Sequence, residues 1–224
     1  MDHASTSDPI VVRLREGIDR IAFVLRADLW TAAGEAGLNP TQAQVLSLLA
    51  GRPAGLRPKD IAAHISVSAA SISDTLGALV RKGLVRRDSD PNDARAALVR
   101  ATPGGVRIGA EIAQATSRVA TALASLSPAA QEALLLTQIA LIRQLQIAGA
   151  IPLQRMCVSC RHFRPHAHPS AAKPHHCAFV NAAIGGRDLR LDCGEHEAAD
   201  PVVQAATWTT FAKGSPTLQA EPPT

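Results

Sequence analysis

Two short strand-like runs, Leu84-Val85-Arg86-Arg87 and Ala97-Leu98-Val99-Arg100, flank the turn-rich segment Asp88-Ser89-Asp90-Pro91-Asn92-Asp93. Apolar runs around such a turn cluster predict an antiparallel hairpin. What precedes the hairpin narrows the fold further. Pro58 suits the first turn of a helix with Ile61, Ala62 and Ile65 on one side, and a turn begins at Ser66. Ser68 is then placed as the N-cap of a second helix that stops at Gly83. Ile72, Leu76, Leu79 and Val80 mark its buried side, and Ser71, Ser73, Asp74 and Thr75 mark the opposite one. Two short helices joined by a tight turn, the second with small polar groups near its start, suit a helix-turn-helix in a major groove; the hairpin behind them is a wing.

The rest of the chain reads as helical up to about residue 150. From Val11, Leu14, Ile18, Ile21 and Leu25 form an apolar seam at steps of three and four, which admits a dimer arm. Asn39-Pro40-Thr41 opens a helix carrying Ala43, Val45, Leu46, Leu48 and Leu49. Thr102-Pro103 opens another, expected to run through Val106, Ile108, Ile112, Val119 and Leu123, and Ser127-Pro128 a further one to about Ile147. Apolar residues make up 46% of the 224, but aromatics only 3% with no Tyr, a mixture that favours packed helices over a sheet sandwich. The fold class is therefore mainly α.

Net charge is only +4, yet Arg81, Lys82, Arg86, Arg87, Arg95, Arg100 and Arg107 fall in one short stretch, partly offset by Asp88, Asp90 and Asp93. The segment Met1 to Pro9 lacks the basic start and apolar core of a secretion signal. The apolar region Val119 to Ile151 is interrupted by Pro128, Glu132 and Arg143, short of the continuous run of about 20 residues that a membrane span needs. A cytoplasmic protein with reduced thiols and no membrane partner is expected. No nucleophile–base pair or nucleotide loop stands in the sequence, so it is not read as an enzyme.

Over residues 10 to 148 the chain resembles the MarR (multiple antibiotic resistance regulator) family. The stretch RKGLVRRDSDPNDARAALVRATPGG is similar to that family's wing signature: a helix-ending Gly, an Asp-Pro-x-Asp-x-Arg turn and a Thr-x-x-Gly exit. The resemblance implies a homodimer, built from the first and last helices, on a near-palindromic double-stranded DNA operator. It places Ser71, Ser73, Asp74 and Thr75, behind Ser68, at base edges, and Arg86, Arg87 and Arg95 at phosphates or the minor groove. Arg95 stands at the family's wing arginine, with Asp90 or Asp93 bracing it. Two positions depart from the pattern: Asp74 replaces a basic or neutral contact residue, and Ala94 a frequent wing-tip arginine.

All four cysteines, Cys157, Cys160, Cys177 and Cys193, lie beyond this region at the spacing C-x2-C-x16-C-x15-C. A two-residue gap lets two thiolates bind one centre, and two single cysteines complete a tetrahedral set when their loops fold back. A disulfide framework is disfavoured in a reducing compartment, and two cysteines would suffice for a thiol switch. The segment is read as a metal site, holding an iron–sulfur cluster or zinc. Phe163 after Cys160 and Phe179 after Cys177 locally resemble high-potential iron–sulfur proteins. His162, His166, His168, His175, His176 and His196 share the region and are read as loop or outer-shell residues.

The expected organisation is a winged-helix DNA-binding and dimerisation domain over 1–150, with Ile139, Ile142 and Leu145 in the dimer interface. A small irregular Cys-rich metal module over 151–200 and a poorly ordered tail over 201–224 follow. The expected function is a sequence-specific transcriptional regulator, a repressor, whose DNA affinity responds to the metal site. The alternative is a regulator that answers a small organic effector, with a purely structural metal.

Overall fold

The computed structural model describes residues 8–91, 93–115, 117–213 and 218, without the side chains of Ala94 and Arg95. It divides into two compact units, Met1–Ser125 and Leu126–Thr224.

The first unit is helical around one hairpin. Helix α1 (Pro9–Glu35) is capped by Asp8, whose side chain accepts the Ile10 N–H. Helix α2 (Pro40–Ala50) starts on a reciprocal cap in which Asn39 Oδ1 accepts the Gln42 N–H at 2.8 Å and Gln42 Oε1 accepts the Asn39 N–H. Helices α3 (Pro58–Ile65) and α4 (Ala69–Arg81) are joined through Ser66, which turns the chain at φ +55. Ser68 Oγ accepts the Ser71 N–H at 3.1 Å, as its N-cap placement predicts. Gly83 takes φ +69 beyond the last turn of α4, a conformation that costs a residue without a Cβ least. Leu46, Leu49, Ile61, Ile72, Leu76 and Leu79 close the core against Val85 and Val99 of the hairpin.

Strands β1 (Val85–Asp90) and β2 (Asp93–Ala101) pair antiparallel from Val85↔Ala101 to Ser89↔Ala97, with an irregularity before Asp90↔Asp93. An isolated bridge from Leu56 to Val99 ties the segment before α3 to β2. Helix α5 (Pro103–Gln114) lies backbone to backbone on its neighbours. A Cβ on Gly105 would sit 2.0 Å from the Leu84 carbonyl oxygen, and one on Gly109 2.6 Å from that of Leu46.

The single helix expected from Thr102 through Leu123 is in fact two. The chain breaks after Gln114, and α6 (Arg118–Ala124) begins on Ser117, whose hydroxyl accepts the Ala120 N–H. The cause lies on α1. Asp28 Oδ2 accepts from the Ser117 hydroxyl at 3.1 Å and from the Arg118 N–H at 2.9 Å, while Oδ1 takes Arg118 Nε at 2.6 Å. These bonds reward an open helix start more than a continued helix would.

The second unit begins with α7 (Pro128–Ile147), capped by Ser127. A 3-10 turn at Cys157–Ser159 and a small antiparallel sheet follow, in the order β3 (Phe163–Arg164), β4 (His175–Cys177), β5 (Ala182–Ile184). A 3-10 turn at Gly186–Asp188 leads on to α8 (Pro201–Ala212). Ile139 of α7, 1% exposed, packs with Met156, Val158, Phe163, Leu189 and Phe211.

That core bears on three expectations. The boundary falls after Ser125 rather than near residue 150, because α7 is the helix on which the cysteine segment folds. Ile139 and Ile142 pack in this core, while Leu134, Leu141 and Leu145 of α7 are exposed. The expected poorly ordered tail instead forms α8 over Pro201–Ala212: Asp200 accepts the Val202 N–H, Pro201 sits in the first turn, and Phe211 is buried. Beyond Lys213 only Leu218 lies within the described residues.

Candidate nucleic-acid interface and thiol cavity

The exposed start of α4 presents Ser68, Ser71, Ser73 and Asp74 to solvent. The hydroxyls of Ser68 and Ser71 lie 2.9 Å apart and hydrogen-bond to each other. Thr75 was expected on this face but is 9% exposed, and its hydroxyl donates to the Ser71 carbonyl at 2.8 Å. The face read as polar is thus one residue narrower. Thr75 stands three positions after Ile72 and four before Leu79, on the buried stripe itself.

In the wing, Arg86 and Arg87 are both exposed. Arg86 Nε donates to Asp88 at 3.1 Å, and Arg100 reaches the same carboxylate oxygen at 2.6 Å. The Arg100 hydrogen bond holds the Asp88 carboxyl below the usual carboxylate range. Arg95 lies in β2, but its side chain is outside the described residues, so the Arg95 brace is not placed. Among the described side chains the two candidate bracing carboxylates converge on Arg57. Its Nε donates to Asp90 Oδ2 at 2.8 Å, and its Nη2 lies 2.6 Å from Asp90 and 3.6 Å from Asp93. Asp90 is only 6% exposed, and these carboxylates push the Arg57 pKa up. Sequence reading missed Arg57; its place beside Pro58 marks a helix start and carries no signal of a wing partner.

The four cysteines come together around one cavity of about 360 Å³ in the second unit. None is in a disulfide, and all are half-buried. Cys157 opens the 3-10 turn and Cys160 ends it, with the Cys160 N–H donating to the Cys157 carbonyl at 3.0 Å. Cys177 ends β4, paired on one side with Phe163 and on the other with Ala182. Cys193 is fixed by its N–H to the Arg155 carbonyl at 2.9 Å. Arg190 serves two of the thiols: its N–H donates to Cys157 Sγ at 3.2 Å and its guanidinium reaches Cys193 Sγ at 4.0 Å. Burial pushes the Cys157 thiol up, the Arg190 N–H opposes that, and the other three thiols add to it. Among the described residues, no three His, Cys, Asp or Glu side chains are placed to hold one metal ion.

The histidines of this region have protein partners. His162 bonds Glu197 at 3.0 Å, His166 the Phe211 carbonyl at 3.2 Å, and His196 the Ser159 hydroxyl at 3.0 Å. His168 and His176 share a hydrogen bond at 3.1 Å. His175, 4% exposed, accepts the His166 N–H at Nδ1, and burial holds its pKa down at about 4, so it is neutral. Among the described residues no helix is long and apolar enough to cross a membrane.

The comparisons with known proteins bear on the first unit. A profile described as MarR family matches residues 36–96, which span α2 to the wing. A putative transcriptional regulatory protein for the hcr operon of Thauera aromatica is 33% identical over 116 residues, 52% of this chain and 68% of that protein. A mutant of MepR from a multidrug-resistant S. aureus clinical isolate superposes with a TM-score of 0.51 at 20% identity, covering 59% of this chain and 97% of that one. The MarR family transcription regulator SP03579 gives a TM-score of 0.53 at 22% identity, over 62% of this chain and 93% of its own. These two structures share the fold. Taken with the exposed polar start of α4 and the arginine-bearing wing, the similarity in sequence makes this chain a member of the MarR family of winged-helix transcriptional regulators, not of an enzyme family.

Proposed function

We propose that the protein is a homodimeric repressor that binds a double-stranded DNA operator and whose affinity responds to a thiolate metal site at Cys157, Cys160, Cys177 and Cys193. The carrying observation for DNA binding is the pairing of an exposed polar helix start (Ser68, Ser71, Ser73, Asp74) with the exposed wing arginines Arg86 and Arg87 in one unit. Helix α4 reads base edges, and the wing, with Arg95, takes the phosphates or minor groove. For the dimer, the support is the exposed seam of Val11, Leu14, Ile18, Ile21 and Leu25 on α1, which a second copy would cover.

Regulation by the thiol site is supported by the loop between Cys177 and Cys193. Arg187 in that loop donates to the Pro128 carbonyl and to Gln131 Oε1 at 2.8 Å, and Leu189 packs with Ile139. Ordering or releasing the loop therefore acts directly on α7. For the alternative organic effector, a cavity in the first unit is lined by Ala32, Glu35, Ile108 and Ile112. Its volume of about 160 Å³ is below the roughly 300–1,000 Å³ of ordinary ligand sites.

Operator titrations of the full chain as isolated, after metal removal, and as Cys193→Ala test the reading. The expected change between metal-bound and metal-free protein is roughly 5- to 150-fold, the usual range of an allosteric coupling. Affinity should also fall steeply with salt, and Arg87→Ala should reduce the slope of log affinity on log salt by about one unit for all operator sequences. A salt-independent affinity would refute DNA binding by this surface. Equal affinity in all three metal states would leave the site a structural role.

A further inference from the structure

We infer that the thiol cavity is built for an iron–sulfur cluster ligated by Cys157, Cys160, Cys177 and Cys193, with Arg190 as its charge partner. The inference rests on the reading of these four residues as a thiolate metal site and names what that site takes. Two groups compete, and they ask different things of four thiols. Zinc is a single ion with Zn–S bonds of about 2.3 Å, so its thiolates crowd together, roughly 3.8 Å from one another. A cluster interposes several irons and sulfides, so its thiolates stand apart around a space.

The four thiols here share a space larger than one ion needs. Cys157, Cys160, Cys177 and Cys193 all border one cavity of about 360 Å³. A single ion would leave most of that space unfilled.

The walls agree with the thiols. Phe163, Phe179, Val180 and Ile184 make part of the same cavity's wall apolar, beside the charged Lys173, Asp188 and Glu195. Of the region's histidines, His162 also lines the cavity and bonds Glu197 through Nε2, while His196 bonds Ser159. Ligation removes a proton from each thiol and leaves a centre rich in negative charge. Arg190 answers that charge from two directions, its backbone N–H at Cys157 Sγ and its guanidinium at Cys193 Sγ. Hydrogen bonds to the ligand sulfurs and net local charge are the protein's means of setting a cluster's reduction potential.

The test uses the full chain, purified without oxygen or reconstituted with ferrous iron, sulfide and a thiol reductant. The expected result is a coloured protein with visible charge-transfer absorption and with iron and acid-labile sulfide in equal amounts. Cys177→Ser should lose most of the colour; circular dichroism tells a lost ligand from a lost fold, and the wild-type metal content decides the matter by itself. A colourless chain carrying one zinc would overturn the cluster while sustaining the thiolate site. A chain that retains neither iron and sulfide nor zinc would overturn both. Arg190→Gln should keep the cluster but lower its reduction potential, followed by redox titration of the visible absorption, since loss of a nearby positive charge favours the oxidised form. An unchanged potential would remove Arg190 from the site.

Discussion

Arg57 Nε donates to Asp90 Oδ2 at 2.8 Å, so the residue that precedes the first helix of the helix-turn-helix also holds the end of the wing's first strand. The pair fixes the height of the wing relative to α3, and through α3 relative to the start of α4. Arg57→Ala should therefore lower operator affinity although Arg57 need touch no DNA. A loss of roughly tenfold, the equivalent of one charge-assisted hydrogen bond, is expected, with α-helical content unchanged. Fluorescence anisotropy with labelled operator measures it. An affinity equal to wild type would mean that the wing keeps its place without this contact.

Acid should loosen the first unit at the junction of α1 and α6. Arg118 and the hydroxyl and N–H donors around Asp28 hold that carboxyl below its ordinary value, the Arg118 hydrogen bond being the largest cause. At low pH the unfolded chain thus binds a proton that the folded chain refuses, and stability rises with pH there. The contribution is complete above the ordinary Asp value of about 3.9 and is lost as pH falls through the lower folded-state value. Urea unfolding of wild type and Asp28→Asn across that range should converge at the acid end and diverge above it. Parallel curves at every pH would rule out the Asp28 clamp as the source.

Ile139→Ala should destabilise the cysteine-bearing unit by about 2–5 kcal/mol, the usual cost of emptying a fully buried aliphatic site. Ile139 is 1% exposed and touches the core that Met156, Phe163 and Phe211 complete. Trp208, packed against the same core, reports on it when Trp30 of α1 is replaced by Phe. The expected outcome is an earlier Trp208 transition in urea. If Ile139 instead served only a dimer interface, the effect would depend on protein concentration.

The parts of the fold legible in the sequence are those fixed by local chemistry. Asn39, Ser68 and Ser127 announce helix starts because each side chain accepts an N–H two or three residues ahead, and the wing is announced by its turn residues. What stayed hidden depends on partners distant in sequence. Ser117 looks like an ordinary helical position until Asp28 is known to lie beside it. The helix at Pro201–Ala212 has a weak apolar pattern, and only the pocket that receives Phe211 explains why it is ordered. The cysteines were legible as a set because their spacing is distinctive, whereas Arg190, which serves two of them, has no motif to announce it.

The burial of Phe211 also orders events during synthesis. Residues up to Ser125 contain every element of the winged unit, which can fold while the rest is still being made. Cys157, Cys160, Cys177 and Cys193 all leave the ribosome before Phe211, whose ring closes the core beneath Phe163, 5.7 Å between centroids. The thiols are therefore made before the ring that completes the core they pack against. The DNA-binding part is thus complete in sequence before the first of the four thiols is made.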